Sequence, residues 1–399
     1  MSVRRSSELR LGFIALTDCA PLVVASERGL FAAEGLDVEL CREASWANIR
    51  DKVGAGLLDG AHMLGPMALA TSIGAGGECT PMVAPLALNL NGSAITVSKA
   101  LANALRDVDP VGMAERPRSA HALALAIEAR RSAGERPLVF AAVFPFSMHA
   151  YELRYWMAAA GVDPDRDVRL VITPPARMAA QLRAGEIDGF CVGAPWNAVS
   201  VAEGAGEILI HATEFWRGGP DKVFAVTADW AKRNPEVLLA LVRSLMQAAA
   251  WADDPDNRDE LAALLARPDY VGVPARVVRQ SLDGVTFYRN AANFPWRSHA
   301  LWFLTQMRRW GQIGPDVDLA AVAQAVYQPD LYRRAAADIG VPAPAIDAKI
   351  EGGHIEPWVL TGIGGAIPME PDRFIDNRIF DPAGAQDYVS AFEVVRTRR

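Results

Sequence analysis

Between residues 11 and 226 short apolar runs alternate with helical stretches, and that alternation restricts the possible folds more than any other feature. Runs at 11–16, 38–41, 61–64, 82–85, 94–97, 138–142, 168–172, 187–192 and 223–226 have the length and residue types of strands. Helices are expected to follow from Pro21, Ser45, Pro66, Ser147, Pro175 and Pro195, because Ser caps a helix and Pro suits its first turn. From 234 to 332 the chain reads as mostly helical, most clearly at 235–251, 275–281 and 298–310. The pattern predicts an α/β fold with mainly parallel sheets. A single core stops growing near ~250–300 residues, so 399 residues call for two lobes. The polar run 107–119 and Gly218-Gly219-Pro220 are taken as the two crossings. Residues 9–106 and 214–399 then form lobe I, with 107–213 inserted as lobe II. The Pro- and Gly-rich stretch 340–371 reads as an irregular surface arm.

Composition narrows the function classes. A net charge of −7 argues against broad binding of nucleic-acid phosphates. Cys19, Cys41, Cys79 and Cys191 form no C-x-x-C pair, which predicts reduced thiols and a cytoplasmic setting. The start of the chain imitates an export signal, with Arg4, Arg5 and Arg10 before an apolar run. That run is too short and ends at Thr17-Asp18, so it reads as the first strand. No run is long and apolar enough to predict a membrane span. Nucleophile-elbow, P-loop, H-E-x-x-H and Rossmann signatures are absent from the sequence, and Gly74-Ala75-Gly76-Gly77 follows a helix as a C-cap turn would. The expectation is a binding protein that catalyses no reaction.

In parallel α/β sheets ligands gather beyond the carboxyl ends of the strands, where helix N-termini offer N–H groups and partial positive charge. Joints of this kind occur at Thr17-Asp18-Cys19-Ala20-Pro21, Ala44-Ser45-Trp46, Gly65-Pro66, Phe146-Ser147-Met148-His149 and Gly193-Ala194-Pro195-Trp196. They suit a small anion.

Longer segments carry a resemblance. Ala44-Ser45-Trp46, Asp59-Gly60-Ala61-His62, Asn89-Leu90-Asn91-Gly92, Arg154-Tyr155-Trp156, Phe190-Cys191-Val192-Gly193-Ala194-Pro195-Trp196-Asn197 and Pro220-Asp221-Lys222-Val223 resemble the nitrate- and bicarbonate-binding proteins of bacterial transport, of the NrtA and CmpA type. The resemblance spans roughly residues 9–330. It implies the type II periplasmic-binding-protein fold, two α/β lobes around a cleft. It also implies ligand contacts at Trp46, Ser93, His149, Pro175, Gly193 and Lys222, with Lys222 as the anion's charged partner and no cofactor. Ser93 departs from the longer amide side chain expected there. His62 is read as structural. Bicarbonate binders of this type resemble proteins that recruit a metal ion through acidic residues near the position of Lys222. No carboxylate cluster is read beside His149 or Lys222, so nitrate or nitrite is the expected ligand and no metal is expected. With a cytoplasmic setting, the likeness is to sensors of the NasS type, whose implied partner is an RNA-binding antiterminator of the NasT type. The alternative is the substrate-binding component of a nitrate (or bicarbonate) transporter of the ABC type, and an enzyme of the same fold is the third reading.

Overall fold

The computed structural model describes residues 8–396. Fifteen strands follow in chain order among them: β1 (Glu8–Ile14), β2 (Asp37–Glu43), β3 (Gly60–Leu64), β4 (Met82–Ala87), β5 (Leu90–Asn91), β6 (Ser93–Ser98), β7 (Val139–Ala142), β8 (Arg169–Ile172), β9 (Gly189–Gly193), β10 (Gly206–His211), β11 (Lys222–Thr227), β12 (Val285–Thr286), β13 (Ala343–Pro344), β14 (Trp358–Ile363) and β15 (Gly365–Met369). Two five-stranded sheets organise the molecule, ordered β2-β1-β3-β11-β4 and β10-β6-β9-β7-β8. Helices pack around them in the arrangement of a type II periplasmic-binding protein. The central strands β3 and β9 are buried along their whole length, and their sequences GAHML and GFCVG show no alternation, as strands covered on both faces should.

Each sheet has four strands running one way and one reversed. β11 pairs antiparallel with β3 and β4, and β6 pairs antiparallel with β9 and β10. The reversal has a topological cause: β6 and β11 are the strands that follow a crossing, so each starts at the edge where its neighbours end. Lys222, the first residue of β11, therefore lies opposite Leu64, the last of β3. Ser93, the first of β6, lies opposite Gly193, the last of β9. Strand beginnings and strand ends meet on one edge of each sheet.

The first crossing falls at 88–92, between β4 of one sheet and β6 of the other. The polar run 107–119 is not the boundary. It lies at the end of the helix Lys99–Val108 and in the helix Pro110–Ala114, both after β6 has joined the second sheet. Lobe II thus begins near Ser93 rather than at 107, and its last strand is β10. The return crossing runs over 212–221. The lobes touch directly: the Thr17 N–H donates to the Ala194 carbonyl at 2.8 Å, and the Trp196 indole N–H donates to the Ala15 carbonyl at 3.0 Å.

The stretch 340–371 is more ordered than its composition suggests. β13, β14 and β15 form an antiparallel sheet. Lys349, Glu351 and Asp372 are buried, and the Ser298 hydroxyl donates to Glu351 at 2.6 Å, which ties the arm to the helix Arg297–Arg309. No helix among the described residues is long and apolar enough to cross a membrane. The basic start, with Arg4 and Arg5, lies outside the described residues. The apolar run after Arg10 belongs to β1.

Candidate functional site

Lys222 is the centre of a buried polar group that both lobes build. It is 1% exposed. Its ammonium donates to Asp18 Oδ2 at 2.9 Å and also to Asp221 Oδ2. Asp18 sits in the 3-10 turn Thr17–Cys19 directly after β1. Asp18 Oδ1 lies 2.8 Å from Nε2 of His62, in the middle of β3. The Ile14 N–H points at His62 Nδ1 from 3.4 Å, so the ring keeps its proton on Nε2, facing Asp18.

Lobe II contributes His149 and Gly193. His149 is the second residue of the helix Met148–Ala158, whose first turn is fixed by Ser147: its hydroxyl accepts from the Ala150 N–H at 3.1 Å. His149 Nε2 stands 3.5 Å from Asp221 Oδ2, and Nδ1 has no hydrogen-bond partner among the described residues. Gly193 makes the approach possible. A Cβ there would stand 3.3 Å from Asp18 Oδ2 and 3.4 Å from His149 Nε2. Trp46 opens the helix Trp46–Gly54, capped by Ser45, and its ring lies 5.6 Å below the Lys222 ammonium and 5.2 Å from His62. Its indole N–H is buried and unpartnered among the described residues. Two helix N-termini, one from each lobe, thus flank Lys222 and add positive potential.

A second layer lies behind. The Ser93 hydroxyl donates to Glu152 Oε2 at 2.6 Å, and the Cys191 thiol donates to the same oxygen at 3.3 Å. Glu152, one turn along from His149, holds Ser93 back from Lys222. Pro175 is buried at the end of β8, an edge strand two places from β9, and so stands at the margin of this group.

Burial decides the protonation states. It raises the Asp18 carboxyl, but Lys222 and His62 oppose it more strongly and hold Asp18 well below the usual carboxylate range. For Asp221 burial, aided by the nearby charge of Asp18, outweighs the pull of Lys222 and leaves it pushed up to about 6. Burial pushes Glu152 up to about 7, and drives His149 well below its ordinary value, so His149 is neutral. Lys222 loses to burial but gains more from Asp18 and Asp221, and stays charged.

The polar group differs from the sequence expectation in two ways. Carboxylates do cluster at Lys222, because Asp18 folds back beside Asp221. His62 is part of the group through Asp18, not a bystander. A cavity of about 510 Å³ lies to one side at the lobe seam, against Ser93, Ala194, Asn197 and Ser281. It holds none of Trp46, His149 or Lys222, and its walls are mostly apolar, so the charged group is the better candidate for an anion.

Glu152 offers a check on this electrostatic picture. Its pKa is raised on folding, so its stabilising contribution is complete below about pH 4.5 and is lost as pH rises through about 7. Glu152→Gln cannot ionise. Its stability relative to the parent is expected to grow from pH 4.5 to 7.5, by on the order of 1–3 kcal/mol. Chemical denaturation at several pH values measures this, and a constant difference across the range would contradict it.

Comparison with known proteins follows the same lines. A model of the NMT1-like family matches residues 4–266. The chain belongs to the NMT1-like family. Within it, the chain is 34% identical to the nitrate/nitrite binding protein NrtA of Synechococcus elongatus, over 96% of this chain and 85% of that one. It is 38% identical to the nitrate import ATP-binding protein NrtC of Synechocystis, over 97% of this chain, and spans only 55% of that relative's length. The crystal structure of the periplasmic nitrate-binding protein NrtA from Synechocystis superposes with a TM-score of 0.85 at 30% identity, over 97% of this chain and 99% of that one. The NrtA-like relatedness therefore extends across both sheets and the C-terminal arm.

Proposed function

We propose that this protein binds nitrate or nitrite between its lobes, with Lys222 as the charged partner, and catalyses no reaction. The observation that carries the reading is a buried ammonium at the meeting of two capped helix N-termini from opposite lobes, in a chain related to NrtA over 96% of its length. One full positive charge suits a monovalent anion. The indole N–H of Trp46 and the one ring N–H of the neutral His149 supply hydrogen bonds, and Gly193 lets the lobes close tightly. The adjacent thiol, Cys191, is pushed well up by burial and by Glu152, so it stays protonated and is no nucleophile. Bicarbonate held through a metal ion fits less well, because Lys222 already engages the two nearest carboxylates, Asp18 and Asp221.

Thermal melting with an anion panel tests ligand choice. Nitrate and nitrite at about one hundred times Kd are expected to stabilise the protein by about 2.7 kcal/mol, with sulfate far weaker. Stabilisation by bicarbonate plus calcium alone would overturn the reading.

Two cellular roles extend it. The names of the relatives support delivery of the anion to an importer. Four unpaired cysteines, one of them the exposed Cys79, support a reducing compartment and the role of a cytoplasmic sensor. In that role the anion-free form holds an RNA-binding antiterminator, and closure on the anion releases it; linkage then requires the partner to weaken anion binding equally. Tagged protein isolated from cells without nitrate should yield a small regulator that nitrate elutes. A periplasmic protein that yields no such partner would leave the delivery role standing.

A further inference from the structure

We propose that the site takes up one proton with each anion it binds, and that Asp221 accepts that proton. The inference deepens the anion-binding reading and rests on it. It starts from a charge count. Lys222 is the cation of the group, and Asp18 and Asp221 both lie on it. With both carboxylates ionised the group carries a formal −1 before any ligand arrives. A monovalent anion would make it −2 in a place where every member is buried. Uncompensated buried charge is among the costliest arrangements in a protein, and it is relieved by a shift in protonation.

Geometry selects the acceptor. Asp18 is fixed as a carboxylate by the His62 N–H on one oxygen and Lys222 on the other. Asp221 shares Lys222 through Oδ2, while its Oδ1 is buried with no hydrogen-bond partner among the described residues. A proton on Asp221 converts that orphaned acceptor into a donor. It also frees the ammonium from one carboxylate, so the anion replaces a charge on Lys222 instead of adding one. The proton comes from solvent, leaves the conjugate base of the buffer behind, and keeps the group at −1.

The other groups facing Asp221 do not compete well. His149, on the helix Met148–Ala158, is beside the charge of Lys222, which disfavours a second cation. Glu152 on the same helix, and Cys191 on β9, lie in the layer behind. Tyr327 approaches from the turn after the helix Leu319–Val326 and keeps its own proton, and His62 is committed to Asp18. Asp221 is pushed up to about 6 in the free protein, so it is ionised at about pH 7.5 before the ligand arrives, and the added negative charge has only to raise it further for it to take up a proton.

Calorimetric titration with sodium nitrate reads this directly, since nitrate has no titratable proton near neutral pH. At about pH 7.5, heats measured in HEPES and in Tris are expected to differ by the buffers' ionisation enthalpies multiplied by close to one proton. Affinity should fall about tenfold per pH unit above pH 7 and level off below about pH 5, where Asp221 is protonated beforehand. In Asp221→Asn both the buffer effect and the pH slope should vanish, while Glu152→Gln retains them. Nitrate binding with equal protonation-free heats in both buffers, and affinity flat from pH 6 to 8, would overturn this proposal alone. Loss of the uptake in Glu152→Gln but not in Asp221→Asn would overturn the assignment to Asp221. No nitrate binding in any buffer would instead remove the anion-binding reading beneath it.

Discussion

Lys222→Ala is expected to weaken nitrate or nitrite binding by roughly 30-fold to several thousand-fold, corresponding to the ~2–5 kcal/mol lost when one partner of a buried charged pair is removed. The substitution should also destabilise the protein. Asp18 and Asp221 converge on the same ammonium, and without it two buried carboxylates are left without their counter-ion. Breaking a buried ion pair from one side costs about 3–5 kcal/mol. Part of that loss should be recovered in mild acid, because protonating Asp221 removes one of the two stranded charges. Denaturation at about pH 5 and pH 8, alongside a nitrate titration, separates the two effects. A Lys222→Ala protein with parental stability at both pH values and parental affinity would show that Lys222 is neither the anion's partner nor the hub of the group.

Trp46 is expected to divide into two separable contributions. Trp46→Ala removes a large buried ring that packs beside His62 and under Lys222, and should cost about 3–5 kcal/mol of stability along with binding. Trp46→Phe keeps an aromatic face there but deletes the indole N–H. That N–H has no partner among the described residues, so its loss costs the free protein no hydrogen bond, and only the smaller ring volume should lower stability, by less than in Trp46→Ala. Binding should still weaken by on the order of 1–2 kcal/mol, about tenfold, if the indole donates to the anion. Parental affinity in Trp46→Phe would assign the residue to the wall of the site and not to its hydrogen bonding.

What the sequence could and could not reveal follows from the range of each interaction. Strand and helix positions are local properties, and β3, β6, β9 and β11 lie within a residue or two of where their apolar runs place them. Ser45 and Ser147 cap the helices they were expected to cap. The hairpin of β14 and β15 escaped notice because its strands leave Val359 and Ile363 exposed and so lack the apolar signature of a core. The lobe boundary is hard to read because the crossing 88–92, Leu88-Asn89-Leu90-Asn91-Gly92, is short and carries no charge or proline, whereas the conspicuous polar run 107–119 belongs to helical segments that follow β6. Motif likeness points to Trp46, His149, Gly193 and Lys222, and the fold brings these four side by side. Asp18 was invisible as a site residue because its partner Lys222 is 204 positions away. His62 follows from Asp18 and was hidden with it. Asp221 adjoins Lys222 in sequence, but only the antiparallel start of β11 turns that adjacency into a shared, buried ion pair.

The most direct test is a crystal structure of the protein grown with nitrate. One anion should lie within hydrogen-bond distance of the Lys222 ammonium, with the Trp46 indole and His149 as further donors and Gly193 at van der Waals distance. An anion found only in the cavity beside Asn197 and Ser281, or Lys222 still held by both Asp18 and Asp221 at saturating nitrate, would contradict a binding site built on Lys222.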